Sequence, residues 1–140
     1  MRTMTGEERD AFLAAPRYAI LTTLRGDGSP VSVPVWFGWD GRAVSMFTPT
    51  VTAKLRRIQD NPLASVLVTN AVDEPESWVA FDGEVTVHEE GGLDLAERLA
   101  PKYWDVNEPA RAAALQSWRQ MASGWRLLEL VPKRIRTYVD

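Results

Sequence analysis

Apolar and polar residues alternate through much of the first half of the chain. Tyr18 to Leu24 is rich in β-forming residues, and Arg25-Gly26-Asp27-Gly28-Ser29-Pro30 has the composition of a turn. Beyond it Val31, Val33, Val35, Phe37 and Trp39 fall on one face, and Ser32, Pro34, Trp36 and Gly38 on the other. This two-residue period is that of a half-buried strand, and the first set is expected to face a core. Asp40-Gly41 marks a hairpin turn into a strand over Ala43 to Thr48. The expectation is a meander of three antiparallel strands.

The period changes elsewhere. Thr5, with Glu8 three residues later, forms a capping box for a helix running to Ala14. Thr52 to Asp60 carries Leu55 and Ile58 on one helical face and stops before Asn61-Pro62. Leu63 to Thr69 reads as a buried strand and Asn70 to Ser77 as an acidic loop. Trp78 to His88 reads as a long strand in which Gly83 signals a bulge. Helices are expected over Gly92 to Tyr103 and Ala110 to Ala122, separated by the break from Trp104 to Pro109. Two closing strands follow, Trp125 to Val131 and Ile135 to Val139. So many antiparallel strands with so few helices must close on themselves or pack against a partner to remove their edges, which predicts a small, mainly β barrel with short peripheral helices.

Composition narrows the chemistry. A length of 140 residues fits one domain spanning 1–140, and 45% hydrophobic with 25% charged residues is an ordinary globular balance. No apolar run reaches the roughly 18 residues of a membrane span, and Met1 to Arg9 does not resemble a signal peptide, so a cytoplasmic protein is expected. With no cysteine and His88 as the single histidine, neither a thiolate site nor a multi-histidine metal centre is expected. A net charge of −3 argues against general affinity for nucleic acid. Six tryptophans exceed what a core of this size requires, so some are expected to line a pocket or an interface.

The stretch from Phe47 through Thr48, Pro49, Thr50, Val51, Thr52, Ala53 and Lys54 to Arg56 and Arg57 passes from a strand end into the start of a helix. Free N–H groups at a helix start, threonine hydroxyls and nearby cations are the parts of a phosphate cradle. Lys54 is unfavourable near the positive end of the helix dipole unless an anion lies close by. Lys54 and Arg57 are neighbours on the helix surface, and Arg56 projects elsewhere. The plainer reading is that Thr50 or Thr52 is only an N-cap and that the cations form a solvated face.

The order of these pieces resembles the pyridoxamine phosphate oxidase-like superfamily of FMN-binding split barrels. The matching residues are Ala19 to Leu24, Asp27-Gly28-Ser29-Pro30, Val33-Pro34-Val35-Trp36-Phe37, Phe47-Thr48 and Thr52-Ala53-Lys54. Trp78 to Val85, Trp125-Arg126-Leu127 and Pro132-Lys133-Arg134-Ile135 continue the match over nearly the whole chain. Within that superfamily the chain looks like the short branch of flavin and deazaflavin oxidoreductases, many of which bind coenzyme F-420.

The resemblance implies a Greek-key-like split β-barrel and a homodimer with two cofactor sites at the subunit interface. It places Val33, Pro34, Val35 and Trp36 along the coenzyme's tricyclic ring, with Trp78 as a further contact. Phe47 and Thr48 would flank the ribityl chain, and Thr50, Thr52, Ala53 and Lys54 would hold the phosphate, with Arg57 a further candidate for cofactor binding. Ala53 stands where the pyridoxamine phosphate oxidases usually have an arginine, which disfavours vitamin B6 oxidation and a compact FMN monophosphate. Arg56 and Arg57 could meet a longer anionic tail.

From residue patterns Trp39 and Trp118 are expected to be core or dimer packing, and Trp104 either to cover a substrate or to anchor a loop. Pro34 requires an edge, a bulge or a wall against something other than a strand. His88 is expected to be exposed, unless the chain binds haem, for which it is the one axial ligand available. The expected activity is deazaflavin-dependent hydride transfer to an electron-poor organic substrate, with no catalytic side chain identified. The alternatives are an FMN-dependent oxidoreductase of the same fold and a non-catalytic flavin or haem carrier.

Overall fold

Two hairpins adjacent in sequence lie at opposite margins of one sheet. In the computed structural model, which describes residues 2–140, β1 (Ala19–Leu24) pairs with β2 (Pro30–Val35), and β3 (Gly38–Trp39) pairs with β4 (Val44–Pro49). With β5 (Leu63–Thr69), β6 (Ser77–His88) and β7 (Trp125–Val139), they form a seven-stranded sheet in the order β2-β1-β5-β6-β7-β4-β3. All pairings are antiparallel. The edges β2 and β3 are joined only by Trp36 and Phe37. At roughly 3.3–3.6 Å of reach per residue, that link holds the margins within about 10 Å of each other. The sheet must therefore curl until its ends almost meet, which gives a mainly β split barrel.

The expected meander is corrected by this topology. The strand expected over Val31 to Trp39 is cut at Trp36-Phe37, where the chain steps from one margin of the sheet to the other. Pro34 does lie in an edge strand, where its missing N–H costs no ladder bond. The two expected closing strands are one strand, β7, with an irregularity in its pairing. The register shifts between Asp82 and Gly83, and Gly83 opposes Pro132, so the bulge accommodates the proline without ending the strand.

Alternation sorts the side chains. Ala19, Leu21 and Thr23 of β1 and Val44, Met46 and Thr48 of β4 point into the barrel and are buried, joined there by Phe37 and Phe81. Outside it lie α1 (Gly6–Ala14), α2 (Ala53–Asp60), α3 (Gly92–Tyr103) and α4 (Pro109–Gln120). The α1 capping box of Thr5 and Glu8 is formed, and the Arg2 guanidinium helps hold the Glu8 carboxyl down at about 2. α3 packs through Leu95, Ala96, Leu99 and Ala100. It also approaches β7 so closely that a Cβ on Gly92 would lie 2.7 Å from the Arg126 backbone. α4 starts and ends slightly earlier than expected, and a 3-10 turn over Ala122–Gly124 returns the chain to β7. No helix among the described residues is long and apolar enough to cross a membrane.

Candidate functional site: an aromatic pocket beside a lysine

Residues that alternate with the barrel core point outward where the sheet margins meet. Pro34 and Trp36 come from one margin, and Phe47 and Pro49 from the strand next to the other. With Lys54 at the start of α2 they line a cavity of about 280 Å³. Tyr18 and Val35 complete the barrel side, and Trp104 and Trp118, from before and within α4, form the opposite wall.

The walls are stacked aromatic rings. Trp36 lies flat on Tyr103, with centroids 4.8 Å apart and planes 3° from parallel, and meets Trp104 edge-on at 4.8 Å. Trp118 contacts Trp36, Phe47, Trp104 and Trp125 at centroid distances of 5.8, 6.0, 5.2 and 5.4 Å. Tyr103 is fixed in turn: its hydroxyl donates to the Arg17 carbonyl at 2.7 Å and accepts from the Phe37 N–H at 3.3 Å. Such a pocket suits a flat ring, because quadrupolar faces and edges make favourable offset or edge contacts with one.

The polar side is built on the loop before α2. Thr52 is the N-cap and accepts from the Leu55 N–H at 3.4 Å, while its hydroxyl lies 2.7 Å from that of Thr48. Thr48 is fully buried and donates to the Pro49 carbonyl. These two hydroxyls therefore serve chiefly to set the loop. The Thr50 N–H donates to the Gly124 carbonyl at 2.8 Å, tying this loop to the return from α4. The Ala53 and Lys54 N–H groups and the Thr50 hydroxyl have no acceptor or donor among the described residues. Lys54 is half-buried without a carboxylate partner among the described residues, and burial, then the Arg57 charge, push its ammonium below the ordinary lysine value.

The structure thus brings Pro34, Val35, Trp36, Phe47 and Lys54 into one cavity. Thr50, Thr52 and Ala53 stand beside it in the loop and first turn of α2, and Thr48 lies beneath them in the barrel. Val33 faces the core. Arg57 turns away, its Nε donating to the buried Thr23 hydroxyl at 2.9 Å, into a neighbouring depression with Arg25 and Asn61. Trp78 lies elsewhere, in a separate depression on the outer face of β5 and β6, where it stacks on Tyr138 and lies under Arg136.

Trp118, expected as packing, is a wall of the cavity, and Trp104 covers it. Trp39 does pack on the core, its Nε1 donating to Asp10. Tyr18 and Tyr103 were missing from the expected set, and neither carries a sequence signal beyond being aromatic. His88 lies 3.4 Å from Glu129 and does not line the cavity. A larger depression of about 430 Å³ at the start of α3 is lined by Glu89, Glu90 and Asp94 against one cation, Arg126, an acidic balance that disfavours a phosphorylated ligand. No group of three potential metal ligands occurs among the described residues.

Comparison with known proteins agrees with this architecture. An F-420 reductase superimposes with a TM-score of 0.72 at 23% identity, covering 90% of this chain and 94% of that one. A conserved hypothetical protein from Mycobacterium tuberculosis gives 0.74 at 23% identity, covering 97% and 85%. A FAD-binding protein from Mesorhizobium loti gives 0.64 at 19% identity, covering 97% and 93%. At these identities the likeness shows the shared fold. No curated protein matches the chain. The family model described as pyridoxamine 5'-phosphate oxidase matches residues 5–137, and the chain therefore belongs to that family of flavin-binding, oxidoreductase-like split barrels.

Proposed function

We propose that this protein is an oxidoreductase that binds coenzyme F-420 along the aromatic pocket and the start of α2, and delivers a hydride to an electron-poor organic substrate. The observation that carries this reading is Lys54, a half-buried ammonium with no carboxylate partner among the described residues, set where an aromatic cavity meets helix N–H groups that have no acceptor among them. A phosphate there would relieve both the burial of the charge and its conflict with the helix dipole. The deazaflavin ring, when bound, supplies the hydride chemistry. Pro34, Trp36 and Phe47 orient that ring, Lys54 and the adjacent N–H groups anchor the phosphate, and Trp104 and Trp118 exclude water.

F-420 is favoured over FMN by the cations around α2. Arg25, Arg56 and Arg57 lack a carboxylate partner within ion-pair distance among the described residues, as do Arg126 and Arg134 elsewhere, whereas Arg2, Arg17, Arg42, Arg119 and Arg136 are paired. Arg57 acts on Lys54 and shares a depression with Arg25 and Asp60, and this run of cations suits an extended anionic tail better than a single phosphate. We also propose a homodimer. Leu63 and Leu67 are exposed on the face that carries Trp78, and Trp78 meets the same coenzyme as Trp36 only if a second copy supplies it. FMN remains the second reading, because the ring pocket does not itself discriminate the two.

Titration of the purified protein with F-420 and with FMN tests the proposal. Replacing Lys54 by alanine removes a charge-assisted contact worth roughly 1.5–3 kcal/mol, so affinity for the preferred coenzyme should fall about ten- to a hundredfold. Undiminished affinity in Lys54→Ala, or no association of either coenzyme with the wild type, defeats the reading.

A further inference from the structure

α4 is lightly held. Its one buried residue is Leu115, and the turn from Pro109 to Ala113 is exposed throughout. Its other ties are the Trp118 ring, a contact between Arg119 and Glu97, and the Trp125 Nε1–H donating to the Trp118 carbonyl at 3.1 Å. α3, of the same length, buries Leu95, Ala96, Leu99 and Ala100. A break over Trp104 to Glu108 and a 3-10 turn over Ala122–Gly124 flank α4. Segments with so little buried apolar contact open locally at a small free-energy cost.

The cavity beneath is also small. Its volume of about 280 Å³ lies just under the roughly 300–1,000 Å³ typical of small-molecule sites. Seating a tricyclic ring deeply would press on both walls, and the less firmly held one would yield. The barrel wall is the firmer one, because Trp36 is backed by Tyr103 and Phe47 lies in a paired strand. The opposite wall is the one carried by the lightly held segment.

We propose that residues 104–120 form a hinged aromatic wall, and that Trp104 and Trp118 are ligand-binding residues that close on a planar, electron-poor ring. The Thr50 N–H to Gly124 carbonyl bond connects the hinge to the anion-binding loop, so filling one favours ordering of the other. This inference rests on the ring-binding reading of the pocket and goes beyond it in assigning the moving wall and its two indoles.

Riboflavin is the probe, since it carries the ring without a phosphate. Its binding is followed by quenching of its emission in wild type, Trp104→Leu and Trp118→Leu, alongside amide hydrogen exchange of α3 and α4. Wild type should bind riboflavin, and each tryptophan variant should weaken binding about two- to tenfold, as expected from ~0.5–1.5 kcal/mol per aromatic contact. Amides in α4 should exchange at least about a hundredfold faster than those in α3 without ligand, and slow down with riboflavin present. Trp104 lies in an irregular segment, so its variant still reports if Trp118→Leu folds poorly. Equal exchange of the two helices, unchanged riboflavin affinity in both tryptophan variants, or coenzyme binding without any riboflavin binding would each overturn the wall. Riboflavin binding that phosphorylated coenzymes do not exceed would instead remove the phosphate cradle and leave the wall standing.

Discussion

Replacing Tyr103 by phenylalanine tests whether the barrel closure and the pocket share one support. The hydroxyl accepts from the N–H of Phe37, whose residue is fully buried, and donates to the Arg17 carbonyl. Phe37 belongs to the two-residue link between the sheet margins, so the bond pins the seam of the barrel. Loss of the 2.7 Å bond to the carbonyl costs about 1 kcal/mol, and leaving a buried N–H unpaired costs about 1–3 kcal/mol. The bond to Phe37 is long at 3.3 Å, which places its loss at the lower end of that range. The sum is about 2 kcal/mol, a substantial share of the roughly 5–15 kcal/mol that stabilises an ordinary domain. In urea, with a slope of roughly 2 kcal/mol per molar, the midpoint should fall by about 1 M at unchanged slope. The ring of Tyr103→Phe still backs Trp36, so riboflavin affinity should change less than about twofold. A midpoint shift below about 0.25 M would refute the claim that this hydroxyl pins the seam.

Three further outcomes follow from particular contacts. Burial and Arg57 depress the Lys54 ammonium, and anion binding favours its charged form, so affinity for a phosphorylated coenzyme should be full below that depressed value. It should then fall as pH rises through it toward the ordinary lysine value of about 10.4; titrations between about pH 7 and 10 check this, with riboflavin as a flat control. Thr52→Ala removes the N-cap of α2 and leaves the fully buried Thr48 hydroxyl without one of its partners, which should cost about 1–2 kcal/mol in urea denaturation and weaken coenzyme binding with it. Gly92→Ala, which in an open helix would gain up to about 1 kcal/mol, should destabilise instead, lowering the thermal midpoint by several degrees, because its Cβ would meet the Arg126 backbone.

The elements were legible in the sequence wherever local chemistry decides them. The Thr5 and Glu8 capping box, the stop of α2 at Asn61-Pro62 and the bulge at Gly83 are set by residues within a few positions of one another, and each appears as expected. Pairing across the sheet was not legible. Nothing around Trp36-Phe37 signals that the chain leaves one margin for the other, because either residue would serve equally well within a strand. Pro132 reads as a strand end, yet its partner Gly83, far away in sequence, absorbs it in a bulge. The site divided in the same way. Pro34, Trp36, Phe47 and Lys54 fell within one readable segment pattern, whereas Trp118 lies in an alanine-rich helix whose position over the cavity depends on how that helix packs.

The place of the pocket follows from the way the sheet fails to close. β2 and β3 are edge strands, and an edge invites pairing with another strand unless something blunts it. β2 carries proline at positions 30 and 34, and β3 is only two residues long, so neither offers a long ladder. The seam is instead spanned by Trp36-Phe37 and covered by side chains from the segment between β6 and β7. A cover made of rings and not of backbone hydrogen bonds can part and re-form without breaking the sheet, since no ladder bond crosses it. Strengthening the barrel should therefore leave the pocket's opening untouched, whereas tightening α4 onto Trp36 should slow ligand association while stabilising the fold.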